Sequence, residues 1–162
     1  MVIIGETVAG RGNDACEHYT KICPAWVKDQ NLHKVEPYVY SQTVAGKDSA
    51  RPGEGKNNWL TGTAAWNWYT IPQFILGIQP AYDGIIVNPC IPSTLKEYNV
   101  KRVLRGAEYN ITIKNPDGVQ KGVKQITVDG NVQSGNHVKH TPGKWHNHKA
   151  SQALFLLNLL KS

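Results

Sequence analysis

The segment NNWLTGTAAWNWYTI, residues 57–71, holds the residues best suited to bind a ligand. Thr61, Gly62 and Thr63 form a small polar step inside a strongly aromatic stretch. The flanking aromatic residues are Trp59, Trp66 and Trp68. A hydroxyl group and a glycine at a helix start present a side-chain donor and accessible backbone N–H groups, which suit an anion or a hydroxylated ligand. The simpler alternative is that Thr61 only caps the helix, as threonine often does.

Other polar residues have spacings that suggest chemistry. His33 and Glu36 lie three residues apart and could share a proton, but ordinary polar positions beside a helix explain them equally well, and we expect the latter. Four histidines near the C-terminus could ligate a metal: His137, His140, His146 and His148. No cysteine or carboxylate accompanies these histidines, so we expect a basic segment and no metal site.

Composition is typical of a globular protein, with 40% hydrophobic and 19% charged residues. No apolar run reaches the ~18 residues of a membrane span, and the opening MVIIGETVAGRG lacks the basic start of a signal peptide. Cys16, Cys23 and Cys90 are too few for a disulfide framework and fit packing roles in a reducing compartment. We therefore expect a cytoplasmic protein without membrane contact.

The net charge of +6 is concentrated at one end of the chain. Residues 131–162 contain four lysines and no acidic residue, so most of the excess lies there. A nucleic-acid-binding protein would instead place Lys and Arg on a folded face among stacking aromatic residues. We expect no nucleic-acid partner.

Helical signals fill the first part of the chain. Apolar residues recur every three to four positions over 2–22, GRGND interrupts them, and Asn13 or Asp14 is a natural N-cap for a second helix that ends before Pro24. We expect a shorter helix around 37–45, a loop over 45–58, and a helix from Gly62 to Leu76 that stops at Gly77.

After residue 79 the pattern becomes that of strands. Tyr109, Ile111 and Ile113 alternate with polar residues, and NPDG and VDGN are typical of tight turns. The chain therefore divides into helices over 1–78, an antiparallel β module over 79–131, and a basic tail over 132–162 in which the β pattern does not continue.

Long segments of the chain resemble one enzyme family, the inverting disaccharide phosphorylases of the cellobiose and chitobiose phosphorylase type, glycoside hydrolase family 94. The resemblance covers about residues 2–131. It rests on VIIGETVAGRGNDACEHYTKICPA, VEPYVYSQTVAGKD, GEGKNNWLTGTAAWNWYTIPQFILGIQPAYDGIIVNPCIP and RGAEYNITIKNPDGVQKGVKQITVDG. It implies an α+β multidomain fragment, in which the last helices of an (α/α)6 catalytic barrel precede an antiparallel β-sandwich or jelly-roll module.

The resemblance also implies a reaction. In that family phosphate attacks the anomeric carbon of a β-linked disaccharide, such as cellobiose, and an α-sugar 1-phosphate forms with inversion. The co-substrate is inorganic phosphate and no cofactor is needed. Thr61 and Gly62 match the family's phosphate-binding Thr-Gly, with the tryptophans as walls that exclude water, and Gln42 matches a sugar-binding glutamine. Arg11, Arg51 and Lys56 could assist the phosphate electrostatically.

The expected departures from the family concern catalysis. The family's general-acid aspartate and its phosphate-binding histidine and arginine lie upstream of the matched stretch. No motif in this chain identifies Asp14, Asp29 or Asp48 as the general acid. We therefore expect no catalytic residue here, an inactive chain when alone, and relatives that are homodimers at full length. The alternative is a non-catalytic carbohydrate-binding or interaction module, which an in-frame upstream barrel segment would argue against.

Overall fold

The computed structural model describes residues 1–36, 38–105, 107–139 and 151–156. Its first half is built from short helices and one hairpin. The helices are α1 (Val2–Val8), α2 (Gly12–Ile22), α3 (Gln30–His33) and α4 (Thr63–Thr70), with a 3₁₀ turn at Pro24–Trp26. A π-helical turn, Ile71–Ile75, extends α4, and Gly77 then turns the chain with a φ of 73°. Strands β1 (Ser41–Val44) and β2 (Gly55–Asn58) form an antiparallel hairpin.

The second half consists of strands. They are β3 (Ile78–Ala81), β4 (Gly84–Val87), β5 (Glu97–Leu104), β6 (Ala107–Lys114), β7 (Gln125–Val128), β8 (Asn131–Gln133), β9 (His137–Lys139) and β10 (Ser151–Leu156). One sheet has the order β5-β6-β10-β7-β8 and a second has the order β3-β4-β9. The pairings are antiparallel except that between β10 and β6, which is parallel. Helices followed by small antiparallel sheets are therefore confirmed.

The main hydrophobic core lies in the β half. Its largest members come from β3, β4, β6 and β7 and from the β4–β5 connection: Ile78, Ile85, Ile91, Ile111, Ile113 and Ile126, each 1% exposed or less. The helical half buries a small cluster of Ile3, Ala15 and Ile75. Because burial of apolar area favours folding, the larger cluster in the β half contributes more hydrophobic stabilisation than the smaller one.

Polar contacts tie the two halves together. The Lys121 ammonium donates to the carbonyls of Thr7 and Val8, at 2.8 and 2.9 Å, where α1 ends. The Asn13 side-chain oxygen accepts from the Ser93 amide at 2.9 Å. A side chain at Gly12 would meet the Ile91 carbonyl at 2.2 Å, so glycine is required for this approach.

These contacts explain one error in the sequence-based assignment. The N-cap of α2 is Arg11, and not Asn13 or Asp14. The Asn13 side chain instead reaches across to Ser93, so a tertiary contact replaces the local cap that it would otherwise make.

Three other segments also differ from expectation. The segment 37–45, expected to be helical, contains β1, and the expected loop 45–58 contains β2. The tail was expected not to continue the β pattern, yet β8, β9 and β10 lie within 131–156 and β10 pairs between β6 and β7. None of the helices in the described ranges is long and apolar enough to cross a membrane.

Candidate functional site

The Thr-Gly step forms the entrance to α4. The chain turns after Leu60 and the helix begins at Thr63, as the sequence predicts. The Thr61 hydroxyl oxygen accepts from the Thr63 amide at 3.1 Å and lies 2.7 Å from the Thr63 hydroxyl. Thr61 thus caps the first amide of α4 from one residue outside the N-cap, which is Gly62. One of the two hydroxyls donates in the contact between Thr61 and Thr63, and the proton of the other remains available for donation.

Further donors remain at this helix start. The amides of Gly62, Ala64 and Ala65 precede the first intrahelical bond, which runs from the Trp66 amide to the Gly62 carbonyl at 3.0 Å. These N–H groups and the positive end of the helix dipole favour an anion. A methyl group at Gly62 would meet only Trp66 Cδ1 and Nε1, at 3.8 and 4.0 Å, so the backbone is open to a ligand.

Helix α4 buries polar residues and exposes aromatic ones, the reverse of an ordinary amphipathic helix. Its buried residues are the polar Asn67 and Thr70, which donate to the carbonyls of Thr63 and Trp66 at 3.0 and 2.7 Å. Trp66 and Trp68 are 56% and 79% exposed. Trp66 lines a surface hollow of about 370 Å³ together with Ala65 and Tyr69. In the described residues the tryptophans therefore present aromatic surface outward.

Gln42 lies on β1 and is exposed. Its side-chain oxygen accepts from the Asn57 amide group at 3.2 Å, across the hairpin. Asn57 has a φ of 54°, a left-handed conformation that asparagine tolerates better than most residues. Gln42 therefore keeps its own amide N–H₂ group for a ligand, while Asn57 fixes its oxygen.

The neighbours of Gln42 and Thr61 meet at one cleft. Ser41 and Val44 from β1 and Thr63 from α4 line a cleft of about 480 Å³. Val44 shares a strand face with Gln42 by two-residue alternation. The structure thus brings β1 and the start of α4 to one cleft, with β2 between them in sequence.

The cationic candidates are engaged with acidic residues. Arg11 forms an ion pair with Glu6, and Arg51 lies 3.5 Å from a Glu54 carboxylate oxygen that also accepts from Lys34 at 3.0 Å. The hydrogen bond from Lys34 holds the pKa of Glu54 below its ordinary value. Lys56 is exposed on β2.

The three aspartates considered for catalysis have local contacts. Asp29 caps α3 by accepting from the Leu32 amide at 2.9 Å. Asp48 pairs with Lys47 at 2.8 Å, and Asp14 lies 3.7 Å from Arg11. None of these contacts directs a carboxylate toward the start of α4.

His33 is more deeply placed than the sequence suggested. It is 7% exposed, lines the cleft, and its Nδ1 lies 3.0 Å from the Gly53 carbonyl oxygen. Glu36 is exposed whereas His33 is buried, so the two side chains lie in different surroundings. Sequence reasoning treated His33 as a helix-flanking residue, and no local pattern signals its contact with Gly53 twenty residues later.

The histidine-rich segment falls mostly outside the described residues. His137 is described and its Nε2 lies 2.9 Å from an Asp83 carboxylate oxygen, which joins β9 to the β3–β4 turn. His140, His146 and His148 lie outside the described residues. Among the residues that are described, no group of three or more His, Cys, Asp or Glu side chains could hold a metal ion.

Residues 1–77 match the glycosyl hydrolase 94 superfamily, catalytic domain. The chain therefore belongs to this superfamily, and residues 1–77 are part of its catalytic domain. The match ends where the π-helical turn gives way to β3.

Curated relatives extend the match into the β half. The chain is 40% identical over 135 residues to the solabiose phosphorylase of Paenibacillus borealis, covering 83% of this chain and 18% of that protein. It is 41% identical over 128 residues to the N,N'-diacetylchitobiose phosphorylase of Vibrio proteolyticus, covering 78% and 16%. It is also 33% identical over 128 residues to a 3-O-beta-D-glucopyranosyl-beta-D-glucuronide phosphorylase of Paenibacillus borealis, covering 77% and 16%. The chain thus spans less than a fifth of the length of these disaccharide phosphorylases.

Proposed function

We propose that this chain supplies the phosphate-binding turn and part of the sugar-binding surface of a glycoside phosphorylase. The reaction is the reversible, inverting phosphorolysis of a β-linked disaccharide, such as cellobiose, to an α-sugar 1-phosphate. Thr61 and Gly62 bind phosphate, and Gln42 binds the sugar. The helices belong to an (α/α)6 barrel, and the β half is its trailing sandwich or jelly-roll module.

The observation that carries the proposal is the geometry at the start of α4. The Thr61 hydroxyl is fixed by the Thr63 amide, and the amides of Gly62, Ala64 and Ala65 precede the first intrahelical hydrogen bond of α4. Several convergent donors at one point suit a phosphate ion better than any other ligand of that family's reaction. The names of the three relatives described above, each a phosphorylase, support the same choice.

The chemistry requires little more of this segment. A phosphate oxygen attacks the anomeric carbon, the glycosidic C–O bond breaks, and the departing oxygen takes a proton from a carboxylic acid. An inverting hydrolase needs a second carboxylate to activate water. Phosphate is already anionic, so a phosphorylase does not need this second carboxylate. The general acid is expected from a part of the domain other than these 162 residues, and no cofactor takes part.

A chimera tests the proposal directly. In the N,N'-diacetylchitobiose phosphorylase of Vibrio proteolyticus, the aligned 128 residues are replaced by the matching residues of this chain. We expect the chimera to cleave its disaccharide in a phosphate-dependent reaction. Thr61→Val should lower kcat/KM for phosphate at least ~10-fold, since it removes a hydrogen bond to a charged group. Thr61→Ser should restore most of it.

Thr94→Val, at an exposed position of the β half, is the matched control and should have no effect. Equal phosphate kinetics for Thr61→Val and Thr94→Val would contradict the phosphate site. If the chimera does not fold, amide shifts of Gly62, Ala64 and Ala65 in the 162-residue chain on phosphate addition provide the second readout, and their absence would contradict it too.

A further inference from the structure

Trp59 has a backbone conformation that a bulky residue rarely adopts. Its φ is 68°, in the left-handed region. An L residue is disfavoured there because its β-carbon lies too close to the following carbonyl oxygen, and only glycine, with asparagine and aspartate occasionally, visits the region routinely. Such strain persists only where the surrounding structure imposes it, and it is concentrated at functional sites. The fold therefore holds Trp59 in this conformation against its local preference.

Trp59 joins the hairpin to the start of α4. It follows Asn58, the last residue of β2, which pairs with Ser41 of β1. It precedes Thr61 by two residues and the first residue of α4 by four. Positive φ values occur where the chain turns sharply. The left-handed conformation of Trp59 therefore turns the chain out of the strand and toward the helix start that carries the proposed phosphate donors.

Contacts on both sides of Trp59 hold it in place. The Asn58 side-chain N–H₂ group donates to the Lys34 carbonyl at 3.4 Å, where α3 ends. The ring of Trp59 meets that of Tyr38 edge-on, with 6.2 Å between the ring centroids, an arrangement that aromatic pairs prefer. On the other side, the Thr61 hydroxyl accepts from the first amide of α4 at 3.1 Å. The residue is thus fixed from the hairpin and from the helix.

Burial of the indole ring does not account for this conformation. Trp59 is 68% exposed, and its aromatic neighbour Tyr38 is 72% exposed. Hydrophobic stabilisation grows with the apolar area removed from water, so a ring that stays this exposed gains little from its place. What the described structure derives from the left-handed residue is the direction of the chain, and with it the place of Thr61 and Gly62.

We propose that Trp59 is a positioning residue for phosphate, whose left-handed turn aims the Thr61 hydroxyl and the Gly62 amide at the anion. It acts through these two residues and not by contact with the ligand. Donors that are already fixed bind an anion more tightly than donors that must be ordered on binding. This role rests on the proposed phosphate site. A change that relieves the strain and removes the constraint should therefore favour folding and weaken phosphate binding.

Glycine and alanine substitutions measure the strain in urea unfolding of the 162-residue chain. Trp59→Gly and Trp59→Ala both remove the indole and its contact with Tyr38, but glycine adopts a φ of 68° without strain and alanine does not. Trp59→Gly should therefore unfold at a higher urea concentration than Trp59→Ala. An equal or lower midpoint for Trp59→Gly would show that the turn carries no strain and would overturn the proposal.

Trp26 is the matched control for this comparison. It is 67% exposed, and its φ lies outside the left-handed region. Glycine loses more conformational freedom on folding than alanine does. Trp26→Gly should therefore unfold at a lower urea concentration than Trp26→Ala, the opposite of the order expected at Trp59.

Phosphate kinetics of the chimera with the Vibrio proteolyticus enzyme test the positioning role. Trp59→Gly should raise KM for phosphate ~10-fold, because the cost of ordering one residue's backbone is then incurred on binding. It should leave kcat nearly unchanged, since a loss of uniform binding appears in KM alone. Trp59→Phe keeps an aromatic ring opposite Tyr38 and the backbone preference of a bulky residue, so it should retain the wild-type KM. An unchanged KM for phosphate in Trp59→Gly would overturn the proposal.

Thr61→Val separates this role from the phosphate site itself. Impaired phosphate kinetics in Thr61→Val, with a wild-type KM in Trp59→Gly, would refute the positioning role and leave the phosphate site. Wild-type phosphate kinetics in both variants would refute the site and the positioning role together. In the 162-residue chain, the phosphate concentration that half-saturates the Gly62 amide shift gives the same comparison without catalysis. It should rise ~10-fold in Trp59→Gly, and an unchanged value would also overturn the proposal.

Discussion

Substitution of Gly62 by alanine separates a ligand-binding role from a structural one. Gly62 has a φ of −75°, which any residue adopts, and a β-carbon there would contact only Trp66 at 3.8 Å. Reduced unfolded-state entropy should stabilise the variant by ~0.4–1 kcal/mol. Alanine is a poorer N-cap than glycine by roughly the same amount. The two effects offset, so the free energy of unfolding should change by less than ~1 kcal/mol.

The effect on activity should be much larger. The added methyl group projects into the space where phosphate would approach the backbone, and a displacement of about 1 Å can cost ~100-fold in rate. In the chimera we therefore expect kcat/KM for phosphate to fall ~100-fold, or ~2.7 kcal/mol. Urea unfolding and initial-rate kinetics measure the two quantities on one preparation.

Gly46→Ala is the matched control for this variant. Gly46 is also exposed and has no left-handed φ, and a β-carbon added there would meet no atom within 4 Å. It should leave both stability and phosphate kinetics nearly unchanged. Wild-type phosphate kinetics in Gly62→Ala would refute the reasoning, since a methyl group at an anion site cannot be neutral.

Three other predictions concern the whole chain. The 162-residue chain alone should release no phosphate above background from α-glucose 1-phosphate with glucose as acceptor, and measurable turnover would show that a general acid is present. Asn115→Ala should lower the free energy of unfolding in urea by about 3 kcal/mol or more, because Asn115 is fully buried and its side chain makes three hydrogen bonds, to Leu95 and Val119. Asn131→Ala, at an exposed position, is the control and should change the free energy of unfolding little. Burial raises the pKa of Tyr98 above its ordinary 10.0, so its contribution to stability is complete below pH ~10 and is lost as pH rises further, because only the unfolded chain then ionises. The melting temperature should fall less steeply above pH 10 in Tyr98→Phe than in wild type, and equal slopes would contradict this.

Elements fixed by local patterns were predictable. Tyr109, Ile111 and Ile113 alternate with polar residues, and the structure buries all three to 3% exposure or less. Pro24 ends α2 after Ile22, since proline disfavours a helical conformation in the residue before it. The left-handed Gly77 ends the α4 segment as expected. In each case the deciding interaction lies within a few residues of the signal.

Elements that depend on distant partners were not predictable. Gln42, Thr43 and Val44 of β1 are all exposed, so the strand has no apolar alternation to reveal it. Ser151–Leu156 has only four consecutive apolar residues, ALFL, for which periodicity does not distinguish strand from helix. Its pairing with β6 and β7 decides that it is a strand. The π-helical turn has no sequence period of its own.

The same limit applies to the candidate site. Thr61, Gly62 and the helix start follow from local residue types, and their placement was predictable. The phosphate role of Thr61 and Gly62 and the sugar role of Gln42 came from the family resemblance, and these roles stay predictions. The contact of His33 with the Gly53 carbonyl depends on the folding of the hairpin, so no local pattern could reveal it.

The β half also bears on the site, although no residue assigned to it contacts a ligand. Helix α4 leads from the Thr-Gly turn into the π-helical turn, which leaves carbonyls near its end without ordinary α-helical partners. The β half supplies them: the Cys90 amide donates to the Ile75 carbonyl at 3.0 Å, the Asn88 amide to Gly77 at 2.8 Å, and the Tyr98 hydroxyl to Leu76 at 2.8 Å. One end of the helical segment is therefore anchored against the β half, while the other carries the amides that we propose to bind phosphate. Since a rigid support is what makes a set of donors converge on one point, the β half contributes to the site by holding the helix that carries it.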